Sequence, residues 1–240
     1  VCISSQIGCN VDCDFCATGK MGISRNLSSG EITEQLLIVN KHIDKKITNV
    51  VFMGMGEPFL NYNNVINAAN NFSNPKGFNL STKKITISTA GILPQIKKFI
   101  SENQKFKLAI SLNASNDKSR NTIMPINKKW NISSILNEIK KYKFNKHRVI
   151  MFEYVLLAGI NDRYEDAMEL SKMLKNISCK INLIPFNEIY GQYKRPSINS
   201  INSFAKVLHE NKGQYRVFVR WSKGEDIDAA CGQLATNSNE

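Results

Sequence analysis

Three cysteines fall within eight positions in GCNVDCDFC, residues 8–16: Cys9, Cys13 and Cys16. Cysteines this close hold a metal, pair with one another or attack a substrate. Pairing is the weakest of the three, because a bridge between Cys9 and Cys13, or Cys13 and Cys16, closes a loop too short to restrict the unfolded chain. The remaining cysteines, Cys2, Cys179 and Cys231, do not complete the spread of pairs that a disulfide framework needs, and a reducing cytoplasm suits the chain better. As a metal site, C-x3-C-x2-C is one ligand short of a four-cysteine zinc site, and His42, His147 and His209 offer no evident fourth. Three thiolates without a fourth protein ligand suit a [4Fe-4S] cluster with one open iron, and Phe15 before the third cysteine provides apolar cover.

The elements that must carry these residues alternate. VCISSQ (1–6), ITNVVFMG (47–54), KITIST (84–89), KLAISL (107–112), RVIMFEYVLL (148–157) and KINLIPF (180–186) read as strands. Between them, 28–43, 62–72, 92–103, 131–142 and 164–176 have helical spacing, the first with a Ser28 cap and Glu31 in its opening turn. Repeated strand–helix units predict parallel strands with right-handed crossovers, and nearly all-apolar strands predict cover on both sides. Six units are too few for a closed eight-stranded barrel. The expectation is α/β, a partial (β/α)6 TIM-like barrel, with a doubly wound sheet as the alternative, followed by a helix over 197–211 and one more strand over 215–221. No linker or low-complexity segment divides the chain, so 1–240 reads as one domain. In either architecture the loops after the strands bring the cysteine motif, MGMGEP, STAG, SLNAS and LIPFN to one rim.

Composition narrows the partners. With 42% hydrophobic residues and a mean hydropathy of -0.28, the chain is of ordinary globular composition, and no apolar run reaches membrane-spanning length. A net charge of +12 favours polyanions. The first residue is Val1 rather than methionine, which reads as a piece of a longer chain.

C-x3-C-x2-C after the first strand of a partial barrel, with GEP at 56–58, resembles the radical S-adenosylmethionine (SAM) enzymes. CISSQIGC, CATGKMGISRNL, FMGMGEP, MPINKKW, INLIPFN and GEDIDAACGQLA together resemble the RlmN and Cfr group of RNA methyltransferases, from Val1 to about Ala235. MPINKKW and CKINLIPFN look more like RlmN, which acts on adenine carbon 2 of 23S rRNA and tRNA, than like Cfr, which acts on carbon 8. The resemblance implies that Cys9, Cys13 and Cys16 hold the cluster and that Gly56, Glu57, Ser88, Ser111, Leu112, Asn113 and Asn187 contact SAM. Asn113 departs from the family's usual histidine, so no titrating role is expected there. It also implies that Cys231 carries the methyl group and forms a covalent adduct with adenine, and that Cys2 resolves the adduct through a disulfide. The family's small N-terminal RNA-binding domain and its general base would precede Val1. A flavodoxin or ferredoxin is implied as electron donor, and a cytoplasmic monomer without membrane association is expected.

Cys179 is read as core, and Asp226 and Asp228 as capping or solvated carboxylates. Lys20, Arg25, Lys128, Lys129, Lys194 and Arg195 are the basic loop residues that could grip phosphates. Two rivals stay open at this point: a radical SAM enzyme with a non-RNA substrate, which leaves Cys2 and Cys231 unemployed, and a zinc-stabilised RNA-binding module, which leaves the barrel pattern unexplained.

Overall fold

A computed structural model describes residues 1–141, 149–189, 191–222 and 230–235. Six parallel strands form the main sheet in sequence order: β3 (Val50–Phe52), β4 (Ile85–Thr89), β5 (Lys107–Ser111), β6 (Ile150–Leu156), β7 (Cys179–Pro185) and β8 (Tyr215–Val219). Before them, β1 (Gln6–Gly8) and β2 (Ile23–Asn26) make an antiparallel hairpin around the short helix α1 (Ala17–Lys20). The crossovers carry α2 (Ser29–His42), α3 (Tyr62–Ser73), α4 (Leu93–Ser101), α5 (Asp117–Ile123), α6 (Ile132–Lys141), α7 (Tyr164–Leu174) and α8 (Ile198–Glu210). Strands running in sequence order with a helix on each crossover are the partial barrel expected from the sequence.

Each strand presents two unlike rows. Phe52, Ile87, Ile110, Phe152 and Ile181 are completely buried beneath the helices, each stabilising the fold by about 1.5–3 kcal/mol. The alternate row, which faces the barrel interior, includes Thr86, Ser88, Lys107, Ser111, Glu153, Lys180 and Asn182. Both faces of the central strands are covered, as expected, but the inner face mixes polar residues with Ala109, Met151, Val155 and Ile184. The capping box at the start of α2 is present, with Glu31 N–H donating to Ser28 Oγ (3.2 Å) and Ser28 N–H to Glu31 Oε2 (2.8 Å).

The predicted first strand differs. Residues 1–5 lie parallel to β3 as a short, irregular edge: Val51 N–H donates to Val1 O (2.9 Å), Ile3 N–H to Val51 O (2.9 Å) and Gly54 N–H to Ile3 O (3.1 Å), around a bridge between Cys2 and Val51. Gln35 of α2 takes the Ser4 backbone in both directions, its Oε1 accepting from Ser4 N–H (2.8 Å) and its Nε2 donating to Ser4 O (3.0 Å). A side-chain amide thus covers the outer edge of this segment, the side away from β3. The sixth sheet strand is instead β8, the predicted extension.

Candidate active site

The cysteine loop depends on a turn that only glycine permits. Gly8 has φ 76°, and a Cβ there would lie 1.9 Å from the Gly22 carbonyl oxygen. Cys9 N–H donates to Gly22 O (2.7 Å), Cys16 N–H to Cys13 O (3.1 Å), and Asp14 N–H to Ile123 O at the end of α5 (3.0 Å). Cys9, Cys13 and Cys16 line one cavity, packed against Val11, Phe15, Met124, Leu157 and Phe186. All three are free thiols.

Their electrostatics favour a cationic guest. Burial pushes Cys9 up to about 11, and pushes Cys13 well above the usual thiol range, with the charges of Cys16 and Cys9 adding to the effect. Crowded thiolates in an apolar pocket repel one another and lose hydration, which a positively charged iron core offsets. Among the described residues no three His, Cys, Asp or Glu converge on a point suited to one metal ion. A four-iron cube takes each thiolate on a separate iron and accommodates the wider set. The donor set fits the cluster that the sequence implied.

Behind the loop lies a residue that sequence reasoning missed. Arg120 on α5 is fully buried, and its guanidinium is held by oxygens rather than by a carboxylate. Its Nε donates to Leu112 O (2.8 Å), Nη2 to Ala90 O (2.6 Å) and Ser111 O (2.9 Å), and Nη1 to Asn127 Oδ1 (2.8 Å). Burial lowers its pKa to about 10, opposed by Cys13 and then Asp117. One side chain thereby ties the ends of β4 and β5 together beneath the cavity.

Those strand ends carry the polar lining. Gly56 has φ 96°, and a Cβ would lie 2.5 Å from Gln6 Cβ. Glu57 follows it, nearly inaccessible, with Oε1 accepting from Phe59 N–H (2.9 Å) and Oε2 from Ala90 N–H (2.6 Å); burial nevertheless raises its pKa to about 7. Ser88, Ser111, Asn113 and Asn187 line the same cavity. Asn113 sits at φ 56°, a conformation asparagine tolerates. Its Oδ1 accepts from Val155 N–H (2.9 Å), and the buried Asn161, also unforeseen, donates to its carbonyl (2.7 Å). Leu112 is different: it is completely buried in the main core and lies outside the lining. Glu153 on β6 is the second buried acid of the cavity, raised to about 7 by burial and bonded to Asn182 Nδ2 (2.9 Å).

Cys231 and Gly232 close the cavity opposite the strand ends. Asn187 Nδ2 donates to Cys231 O (2.8 Å), Ala17 N–H donates to Gly232 O (2.8 Å), and the Thr18 hydroxyl donates to Leu234 O. The C-terminal turn is thus fastened to the helix that follows Cys16. Cys231 keeps one side open to solvent, yet surrounding protein pushes its thiol up to about 12, with Cys2 next in effect, then Glu153 and Cys16. Cys2 is outside the lining, at the edge beside β3, and near enough for its charge to be felt at Cys231. Cys179 is buried core, as read. His147, Asp226 and Asp228 lie outside the described residues.

The basic loop residues are largely engaged within the chain. Lys20 pairs with Asp14, and Arg25 makes a two-pronged contact with Glu31 (2.7 and 3.0 Å). Lys129 stands 4.7 Å from the centre of the Trp130 ring, and Arg195 donates to Phe186 O (2.6 Å) and Asn187 Oδ1 (3.2 Å). Lys128 and Lys194 are exposed.

Residues 3–171 match the Radical SAM superfamily. The chain is 45% identical to the dual-specificity RNA methyltransferase RlmN of Pseudomonas fluorescens, over 98% of this chain and 63% of that protein. It is 45% identical to the protein of the same name from Desulfotalea psychrophila, over 99% of this chain and 68% of that one. Among solved structures, a radical SAM methyltransferase from Sphaerobacter thermophilus superposes with a TM-score of 0.92 at 39% identity, covering 97% of this chain and 69% of that one. The chain thus spans slightly less than two thirds of the Pseudomonas relative.

Proposed function

The chain belongs to the radical SAM superfamily and, within it, to the RlmN/Cfr group, and from that premise we propose that it is the catalytic core of an RNA methyltransferase acting on adenine carbon 2 in 23S rRNA and tRNA. The observation that carries this reading is the single cavity that joins Cys9, Cys13 and Cys16 to Cys231. A zinc-stabilised binding module needs no such second thiol, and a radical SAM enzyme for another substrate gives it no task.

The family's cofactors are a [4Fe-4S] cluster and SAM, which together supply a one-electron reduction and a radical able to abstract hydrogen. In this chain, Cys9, Cys13 and Cys16 are the proposed cluster ligands. Gly56, Glu57, Ser88, Ser111, Asn113 and Asn187 are the proposed SAM contacts, with Leu112 behind them, its N–H donating to Glu153 O (2.9 Å) and its carbonyl accepting from Arg120. The closed Gly56 turn leaves backbone groups accessible at a rim where a side chain would intrude. Adenine carbon 2 is electrophilic, so a methyl group cannot reach it by simple displacement, and a protein carrier answers that difficulty. Cys231 loses its proton and takes the methyl group on sulfur; later that sulfur holds the base through one methylene. Cys2 then attacks the Cys231 sulfur, the carbon–sulfur bond breaks towards carbon, and a Cys2–Cys231 bond forms. The proximity of the two thiols supports that step.

The whole chain is proposed to act as one domain, with an RNA-binding domain upstream, flavodoxin or ferredoxin as reductant, and a monomer in the cytoplasm as its working state. All six cysteines are free thiols, and no described helix is long and apolar enough to cross a membrane.

The test compares the two thiols. Cys2→Ala should accumulate a protein–RNA adduct in which adenosine is joined through one methylene to the Cys231 peptide, and Cys231→Ala should form none. Mass spectrometry after nuclease digestion reads both. Normal turnover by Cys2→Ala without adduct would remove the two-thiol mechanism.

A further inference from the structure

The barrel interior continues beyond the cavity onto an open wall. Register places Ser111, Glu153, Asn182 and Phe218 side by side across β5 to β8, and Ala109, Met151, Lys180 and Arg216 in the row below. Ser111 and Glu153 line the cavity, so Phe218, Lys180 and Arg216 belong to the same inner face. β8 ends the sheet, and Phe218 on it is 36% exposed. Two cations flank its ring: Lys180 Nζ lies 5.8 Å and Arg220 Cζ 5.1 Å from the centroid. Arg220 Nε donates to Asn182 Oδ1 (3.2 Å) and Asn182 Nδ2 to Glu153 Oε1 (2.9 Å), a hydrogen-bonded path from the open edge to the cavity.

The inner face of this wall is rich in cations. Among the described residues, Lys84, Lys107, Lys180, Arg216 and Arg220 form no ion pair with a carboxylate. Lys107 is depressed by burial and by the charges of Lys180 and Lys84, so these cations act on one another. The basic loop residues Lys20 and Arg25, by contrast, already have acids. An exposed ring between cations matches the two parts of a nucleotide: a flat base to stack and a phosphate to neutralise.

We infer that the inner faces of β7 and β8 form the entry track for single-stranded RNA, where Phe218 stacks on a base next to the target adenine and Lys180, Arg216 and Arg220 hold the adjoining phosphates. This rests on the RNA-methyltransferase reading and names where that substrate lies. A peptide substrate would leave the cations unneutralised unless acidic, and the ring between them unstacked.

Fluorescence anisotropy of a labelled, adenine-containing single-stranded RNA oligonucleotide on the full chain with its cluster tests the inference. Phe218→Leu, which stays apolar but cannot stack, should weaken binding about fivefold to a hundredfold, whereas Phe218→Trp should retain it. Paired Lys180→Gln and Arg216→Gln substitutions should flatten the log affinity–log salt slope by roughly 1.4, about 0.7 for each phosphate left without its cation. Inorganic polyphosphate, which has charge but no base, should compete equally well against wild type and Phe218→Leu. Wild-type RNA binding that none of these substitutions changes would overturn the track and leave the RNA reading standing. A wild type that neither binds nor methylates RNA, with the upstream segment restored, would overturn both.

Discussion

Arg120 and Arg220 stand on opposite walls of the same barrel and are treated in opposite ways. Arg120 is sealed beneath the strand ends, and backbone carbonyls at three positions accept from it. Arg220 is exposed at the edge of the sheet, with one amide partner and an aromatic ring beside it. The first arrangement turns a cation into a fastener, because removing it strands buried acceptors. The second leaves a cation with unused valence, which is what recognition of an anionic strand requires. Positive charge is therefore part of the framework near the cysteine loop and available for a ligand near β8.

The contrast can be broken most directly at Arg120. Arg120→Met should lower unfolding free energy by about 3–5 kcal/mol, because three backbone carbonyls lose their donor at roughly 1–3 kcal/mol each with partial relaxation, read from urea midpoints. Arg120→Lys should recover only part, since a lysine ammonium cannot reproduce the planar fork. Gly56→Ala comes next, at about 2–4 kcal/mol, because a positive φ and a Cβ contact of 2.5 Å with Gln6 act together. A native-like midpoint for that variant would show that the rim relaxes easily.

Glu153 lies between the two walls and provides a test with pH. Burial raises its pKa from 4.5 to about 7. Between those values the folded chain keeps a proton that the unfolded chain has released, so stability falls as pH rises through that window. The expected loss is about 2 kcal/mol, from a slope of roughly 1.4 kcal/mol per pH unit across the window with partial relaxation allowed for. Urea midpoints at pH 5 and pH 8 should show it, and Glu153→Gln should shrink the difference to the part that Glu57, likewise raised to about 7, contributes. The smallest effect belongs to the open wall. Lys180→Gln should move stability by less than about 0.5 kcal/mol, and upward if like-charge repulsion is relieved. A large loss there would mean that the two walls do not differ as described.

Chemistry carried by short spacing was legible in the sequence, and chemistry assembled by register was not. C-x3-C-x2-C and GEP announce themselves because their ligands and turns are consecutive. Phe218 and Lys180 lie on separate strands, and only the parallel pairing of β7 with β8 makes them neighbours. Arg120 stands in SNDKSRNT, a polar stretch that looks solvated; nothing local reveals that α5 turns it inward. The first predicted strand is present only as a short edge beside β3, and the cover on its outer side, Gln35, lies thirty-one residues from Ser4 and is equally invisible locally. Asn187 was legible as a rim residue, but its bond to the Cys231 carbonyl spans 44 residues and is a product of the fold.

The bridge between Cys2 and Val51 fixes the first thiol at one end of the sheet, while Cys231 follows β8 at the other. Viewed mechanically, the six strands are a ring left unclosed, and the two sulfurs are the halves of a latch across its gap. Forming the proposed bond would close a loop spanning nearly the whole chain, which in the chain-entropy description stiffens the molecule against unfolding by about 5 kcal/mol. Each catalytic cycle would then fasten and release the ring once, so that the reductant that resets the thiols also sets how freely the barrel can open.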